Sequence, residues 1–230
     1  SDHIVEIGPG EGALTSAMIG SGCRLDAIEL DRDLNAGLLA AFSIHSGFTL
    51  HSGDALRFHF ERLVRDGYPL RIVGNLPYNI STPLLFKLFE QVPQPEHMIF
   101  MLQREVVDRL IAGPGSKAYG RLSVMAQYHC RIQKVLDVPA NAFNPAPKVD
   151  SAVVELQPHS TQIHGATDPE LLSEVLISAF GQRRKTLRNA MSQLITAEQL
   201  SSLDIDPTLR AEALTVQQFI DCANFLSAHR

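Results

Sequence analysis

The sequence predicts an α/β fold: a parallel sheet with helices on both faces and an antiparallel last strand, followed by a small all-helical C-terminal domain. Three observations predict it. Short apolar runs alternate with helical stretches between His3 and Leu102. A proline-rich turn, Pro139 to Pro147, joins the last two strand candidates and is too short for a crossover helix, so those strands are expected to pair antiparallel. Beyond Asp168 the pattern is helical throughout.

In chain order, His3 to Ile7 is an apolar strand ending in a glycine-rich turn, and Ala13 to Ile19 is the helix after it. Arg24 to Leu30 is a second strand, and Asp31 is placed to cap a helix reaching Phe42. Phe48 to Leu50 opens a third strand, and Leu70 to Gly74 is a fourth, ending at Asn75. Thr82 to Phe89 is a helix with Pro83 in its first turn, where a missing N–H costs nothing. His97 to Leu102, Arg131 to Val138 and Ala152 to Leu156 complete the strands. The polar stretch His159 to Thr167 reads as a linker, giving domains 1–158 and 168–230. Helices follow at Pro169 to Phe180, Arg183 to Leu194 and Val216 to Ser227, the last capped by Thr215.

Composition narrows the function classes. With 45% hydrophobic and 20% charged residues over 230 positions, the chain has a globular make-up that excludes disorder, collagen and coiled coil. No apolar run exceeds five residues, against the roughly 20 a membrane-crossing helix needs. Cys23, Cys130 and Cys222 are scattered, and neither they nor the nine histidines show metal-ligand spacing, so no metal and a reducing compartment are expected. The net charge of −5 argues mildly against a nucleic-acid partner, but its distribution does not. Met101 to Asp150 holds seven Lys or Arg against four Asp or Glu, and Arg183, Arg184, Lys185 and Arg188 cluster in an otherwise acidic C-terminal third. Ser1 stands where Met would begin a chain and the first strand follows at once, so an N-terminal segment is expected to precede it.

Glu6-Ile7-Gly8-Pro9-Gly10-Glu11-Gly12 lies between strand and helix, where glycines let backbone approach a ligand and free helix N–H groups face it. That is a nucleotide-binding loop. Gly8, Gly10 and Ala13 also fit the dinucleotide pattern G-x-G-x-x-A, with Glu29 about 20 residues on, so the loop alone leaves the cofactor open. Glu29 and Asp54 are acids at neighbouring strand ends. Glu29 is suited to accept from two ribose hydroxyls and Asp54 from an adenine amine, with helix or turn capping as the plainer role for each.

Asn75-Leu76-Pro77-Tyr78 at the end of the fourth strand is the most specific signal. With the glycine loop it resembles S-adenosylmethionine-dependent methyltransferases that modify the exocyclic amine of adenine. In that chemistry the amine lone pair is delocalised into the ring, and two acceptors aimed at the N–H bonds free it for transfer. The Asn75 side-chain carbonyl and the Pro77 backbone carbonyl are assigned that role. Tyr78 offers a stacking face for an extruded base, and Phe143, on the rigid segment Phe143 to Ser151, offers the opposite face, with Lys148 as a phosphate contact.

Further segments extend the resemblance nearly end to end: Gly53-Asp54-Ala55, Gln103 to Val106, Tyr119 to Ser123, and Phe180 to Asn189. Together they resemble the ribosomal RNA adenine N6,N6-dimethyltransferases of the small subunit. The resemblance implies a Rossmann-like sheet with a helical RNA-recognition domain, and S-adenosylmethionine held by Glu6, Gly8, Gly10, Glu29, Asp54 and Asn75. Asn75, Pro77, Tyr78 and Phe143 then form the catalytic set. It also implies dimethylation of two adjacent adenosines in a hairpin near the rRNA 3′ end within a pre-ribosomal small subunit. The expected enzyme is a cytoplasmic monomer without a membrane partner. The family's preceding segment carries a Gln-Asn-Phe-Leu-type motif that helps close the cofactor pocket. Arg104, Arg109, Arg121, Lys148, Arg183, Arg184, Lys185 and Arg188 are expected to bind RNA phosphates. The alternatives are the macrolide-resistance methyltransferase of the large subunit and a non-catalytic binding module on the same fold.

Overall fold

The computed structural model describes residues 2–64, 68–77, 79–90, 93–159 and 165–229. In chain order its main elements begin with β1 (His3–Ile7), α1 (Ala13–Ile19), β2 (Arg24–Glu29), α2 (Arg32–Phe42) and β3 (Phe48–Ser52). Next come β4 (Leu70–Asn75), α3 (Ser81–Phe89), β5 (His97–Gln103), α4 (Arg104–Ile111) and α5 (Arg121–His129). The chain continues through β6 (Cys130–Val138), β7 (Ser151–Pro158), α6 (Pro169–Gly181), α7 (Leu187–Ala190), α8 (Ala197–Ser202) and α9 (Val216–Ala228).

Two compact units result, one from residues 1–107 with 131–158 and the other from 108–130 with 159–230. The described strands of the first form one sheet in the order β3-β2-β1-β4-β5-β7-β6. The first five are parallel, as in Val5 opposite Asp26 and Ile72 and in Gly74 opposite Phe100. β7 runs antiparallel to β5, with Val153 opposite Met101, and β6 lies beside β7 at the edge. Val5, Ile7, Ala27, Ile72 and Phe100 are almost completely buried, as a sheet covered on both faces requires. Strand order reverses at β1, with β2 on one side and β4 on the other, so a crevice opens at the carboxyl ends of these strands.

The second unit is helical and takes more chain than the 168–230 read from sequence. Residues 108–130 join it because Tyr119 is fully buried with its ring 6.2 Å from that of Phe180, and Gly115 N–H donates to the Glu212 carbonyl at 2.7 Å. Asp168 caps α6 by accepting from the N–H groups of Glu170 and Leu171. Thr215 caps α9 through a reciprocal bond pair with Gln218.

One predicted helix does not form. Arg183 to Leu194 contracts to the short α7, and Arg183 to Lys185 lie in a turn after α6. The reason is non-local: Leu187 N–H donates to the Leu209 carbonyl and Arg188 N–H to the Pro207 carbonyl, so neither is free for a helical bond to residues 183 and 184. Helices α4 and α5 occupy the stretch between β5 and β6, where the sequence pattern predicts no element. Most of the predicted linker lies outside the described residues.

A charged cluster sits inside the sheet. Asp26, 1% exposed, accepts at 2.6 Å from His3 Nε2 through one carboxylate oxygen and pairs at 2.6 Å with His51 Nε2 through the other. Burial pushes its carboxyl upward, but the two histidine bonds outweigh burial and hold it below the ordinary aspartate value. A depressed folded-state pKa means that ionised Asp26 contributes stability fully present above the unfolded value of roughly 3.9 and lost as pH falls through the folded value. Wild type should therefore exceed Asp26→Asn by about 2 kcal/mol in urea unfolding at pH 6, with the gap closing as pH falls below the ordinary aspartate value of roughly 3.9. A gap constant across that range contradicts the assignment.

Candidate active site

Three loops meet at the carboxyl edge of β1, β2, β3 and β4. The first follows β1, where Gly8 and Gly10 adopt φ of +68° and +60°, conformations a side chain would strain. A Cβ on Gly8 would lie 3.9 Å from Pro77 Cδ and 4.0 Å from the Asn75 carbonyl, so this loop rests directly against the Asn75 to Pro77 segment. Glu29 ends β2 and ties its surroundings together: Oε2 accepts from Gly10 N–H at 3.2 Å and Oε1 from Asp31 N–H at 2.9 Å. Both oxygens keep lone pairs for a ligand. Asp31 itself caps α2 by accepting from Asp33 N–H, as the sequence predicted. After β3, Asp54 closes a turn by accepting from Leu56 N–H at 2.8 Å, with its second oxygen 3.9 Å from Arg57 Nε.

A cleft of about 450 Å³ opens between these loops, and Gly8, Glu29, Leu30, Asp54, Pro77 and Ile80 are among its walls. Leu30 is 66% exposed, an apolar surface the sequence reading passed over although its place directly after Glu29 was the available signal. Two carboxylates flanked by apolar wall are an acceptor set that suits an adenosine group, whose hydroxyls and amine donate and whose purine needs cover.

A second cleft, of about 330 Å³, is lined by Asn75, Leu76, Pro77, Phe143, Pro145 and Pro147. Pro77 therefore belongs to both clefts. Leu76 is buried, and its N–H donates to the Met101 carbonyl, fixing the segment to β5. The Pro77 carbonyl accepts from Ile80 N–H at 3.2 Å, which leaves it one lone pair. The Phe143 loop is held by Asp150, whose side chain accepts from Ala140 N–H and whose carbonyl accepts from Arg104 N–H.

Other predicted residues fall elsewhere. Asn75 lines the second cleft rather than the first. Glu6 and Gly10 are not among the lining residues of either. Glu6 is 2% exposed and accepts from Thr15 Oγ1 at 2.6 Å, joining β1 to α1 behind the loop, with its carboxyl raised by burial and secondarily by Glu29 despite the Thr15 bond. Tyr78 lies outside the described residues.

Of the predicted RNA contacts in the first unit, Lys148 is exposed, whereas Arg104 stands 3.7 Å from Asp137 and 3.9 Å from Asp150. In the second unit Arg183 donates to the Lys117 carbonyl and approaches Glu212 at 3.9 Å, and Arg121 donates to Ser173 Oγ. Arg109 is half-buried. Arg184, Lys185 and Arg188 are exposed and make no ion pair among the described residues. Among those residues no cluster of three or more His, Cys, Asp or Glu suits a metal ion, and no helix is long and apolar enough to cross a membrane.

The sequence profile of the ribosomal RNA adenine dimethylases matches residues 1–228. The chain belongs to that family. Its members are S-adenosylmethionine-dependent methyltransferases, and this chain is one. Ribosomal RNA small subunit methyltransferase A of Pseudomonas aeruginosa is 54% identical over 98% of this chain and 84% of its own length. The protein of that name from Pseudoalteromonas translucida is 53% identical over the same shares. Among solved structures, a dimethyladenosine transferase from Plasmodium falciparum superposes with a TM-score of 0.81 at 25% identity, covering 96% of this chain and 88% of that one. The 23S rRNA methyltransferase ErmE shares the fold, with a TM-score of 0.73 at 20% identity over 99% and 91% of the two chains.

If Glu29 accepts from the cofactor, Glu29→Ala should weaken S-adenosylmethionine binding by about 10- to 100-fold in calorimetry, the scale of charge-assisted hydrogen bonds. A Kd within about twofold of wild type contradicts that role.

Proposed function

We propose that this family member dimethylates the N6 amines of two adjacent adenosines in a hairpin near the 3′ end of small-subunit rRNA. The observation that carries the reading is Pro77, a shared wall between a cleft suited to the cofactor and a cleft suited to an extruded base. Bound in the first cleft, S-adenosylmethionine supplies an electrophilic methyl group. Glu29 and Asp54 accept from its ribose and adenine. In the second cleft Phe143 stacks on the target adenine and the Asn75 side-chain carbonyl accepts one amine N–H, with Tyr78 the second stacking residue expected from the sequence. The second N–H goes to a backbone carbonyl. Pro77 was the sequence expectation. Because its oxygen already serves Ile80, the carbonyl of Leu76, on the same cleft, is the competing acceptor.

With its hydrogens held, the amine lone pair turns out of conjugation toward the methyl group; the N–C bond would form as the methyl–sulfur bond breaks, S-adenosylhomocysteine would leave, and the ammonium would lose its proton to water. No strong base is needed. The helical unit recognises RNA through Arg184, Lys185 and Arg188, with Arg109 contributing, and in the first unit Lys148 is a phosphate contact, while Arg104, Arg121 and Arg183 first serve the protein's own bonds. A pre-ribosomal small subunit in the cytoplasm is the proposed setting, with the enzyme acting as a monomer. The names of the relatives favour the small subunit over the large.

Incubation with labelled S-adenosylmethionine and unmodified small and large subunits side by side should yield N6,N6-dimethyladenosine in the small-subunit rRNA, while label in large-subunit rRNA alone, or none with cofactor bound, overturns the reading. Asn75→Ala should reduce kcat by about 10²- to 10³-fold, the usual effect of losing one preorganised hydrogen-bond partner, while binding cofactor. Turnover near wild type removes Asn75 from the mechanism. Replacing Arg184, Lys185 and Arg188 with Ala should flatten the slope of log K for RNA against log salt by about one per charge; an unchanged slope returns them to ordinary surface.

A further inference from the structure

Lys87 stands in the last turn of α3, outside both clefts, and its bonding is not that of a surface lysine. The ammonium donates to the Leu56 carbonyl at 2.9 Å and the Phe58 carbonyl at 2.5 Å. It also lies 5.5 Å from the ring centroid of the fully buried Phe60. Both carbonyls belong to the segment that leaves Asp54, whose turn is closed by the Asp54 bond to Leu56 N–H. The segment's aromatic rings interlock, with His51 to Phe58 at 5.3 Å and Phe58 to Phe60 at 5.4 Å.

The same helix reaches the cleft at its other end. Asn79 and Ile80, just before α3, line the first cleft together with Pro77, and Gly53, Asp54 and Ala55, which precede the carbonyls that Lys87 holds, line it too. One rigid helix thus connects the Pro77 wall to the Asp54 wall. A side chain with three donors can satisfy two outward-turned carbonyls at once, and an apolar replacement leaves both without that partner.

We propose that Lys87 is a positioning residue for cofactor binding: it ties the Asp54 segment to α3 and so sets the width of the cleft between Asp54 and Pro77. The proposal rests on the reading of that cleft as the S-adenosylmethionine site. Burial lowers the Lys87 pKa, while the negative charges of Glu61 and Asp54 counter the shift and favour the protonated donor.

The test is calorimetric titration of S-adenosylhomocysteine into the full chain carrying Lys87→Met or Lys87→Arg, with KM and kcat measured beside it. Lys87→Met should raise Kd by about tenfold, with KM for S-adenosylmethionine rising in step and kcat at saturation changing far less. Lys87→Arg, which keeps the charge and two parallel donors, should recover most of the affinity. A merely architectural lysine would lower Tm in both variants and leave the Kd of the folded protein at the wild-type value, and that result overturns the proposal. Should Lys87→Met not fold, Lys87→Gln gives the same reading, a raised Kd supporting the proposal and a wild-type Kd overturning it. Wild type that binds no S-adenosylhomocysteine removes the cofactor reading itself, a failure distinct from an unchanged Kd in the variants.

Discussion

A side chain at Gly74 would place its Cβ 2.6 Å from the carbonyl oxygen of Ile7, closer than Cβ atoms approach other groups, and the active site depends on that closeness. Because the position is bare, the end of β4 lies against the end of β1, and Asn75 emerges next to the glycine loop instead of being held away from it. The parallel pairing of Glu6 with Val73 then puts the loop after β1 and the segment after β4 at one edge. Sheet, loop and base cleft are therefore one construction. It also explains why Leu76 is buried between exposed Asn75 and Pro77: the chain is pinned at one residue and presents its neighbours.

Around that close approach, polar groups serve the scaffold and keep capacity for ligands. Glu29 braces the glycine loop and the start of α2 through main-chain N–H groups, so its oxygens are oriented before any hydroxyl arrives. Asp54 does the same for its own turn. Glu6, by contrast, is sealed behind the loop with Thr15 and shapes the site from outside it. The division between acids that face the cleft and acids that brace it is set by depth: Asp54 is half-exposed, Glu29 is near the surface of the cleft and Glu6 is fully covered.

Much of this was legible in the sequence because it is local. The strands β1, β2, β4 and β5 are each built around adjacent apolar residues, Ile4-Val5, Ala27-Ile28, Ile72-Val73 and Met98 to Leu102, and Asp31 and Thr215 cap the helices they were expected to cap. The α/β class, the antiparallel last strand and the family followed from these runs and from motifs lying at strand ends. What escaped was set by distant partners. Nothing near Leu187 announces that its N–H is taken by residue 209, so a helix was expected where a turn and one short helix stand. The second unit's claim on residues 108–130 depends on Tyr119 meeting Phe180 across about sixty positions of chain, a contact no window of sequence contains. Within the site, Phe143 could equally have been core, and only the fold puts it on the same cleft as Asn75. Arg104 looked like a free cation until Asp137 and Asp150 were brought to it.

The central claim is that cofactor and target base occupy adjoining clefts divided by Pro77. A crystal structure of the chain with a bisubstrate ligand, S-adenosylhomocysteine joined through a short linker to the N6 of adenosine, tests it most directly. The account predicts the cofactor adenosine against Glu29 and Asp54, the target adenine against Phe143, and its N6 within hydrogen-bond distance of the Asn75 side chain. A target adenine bound away from Asn75 and Phe143, with the cofactor half in place, would contradict it.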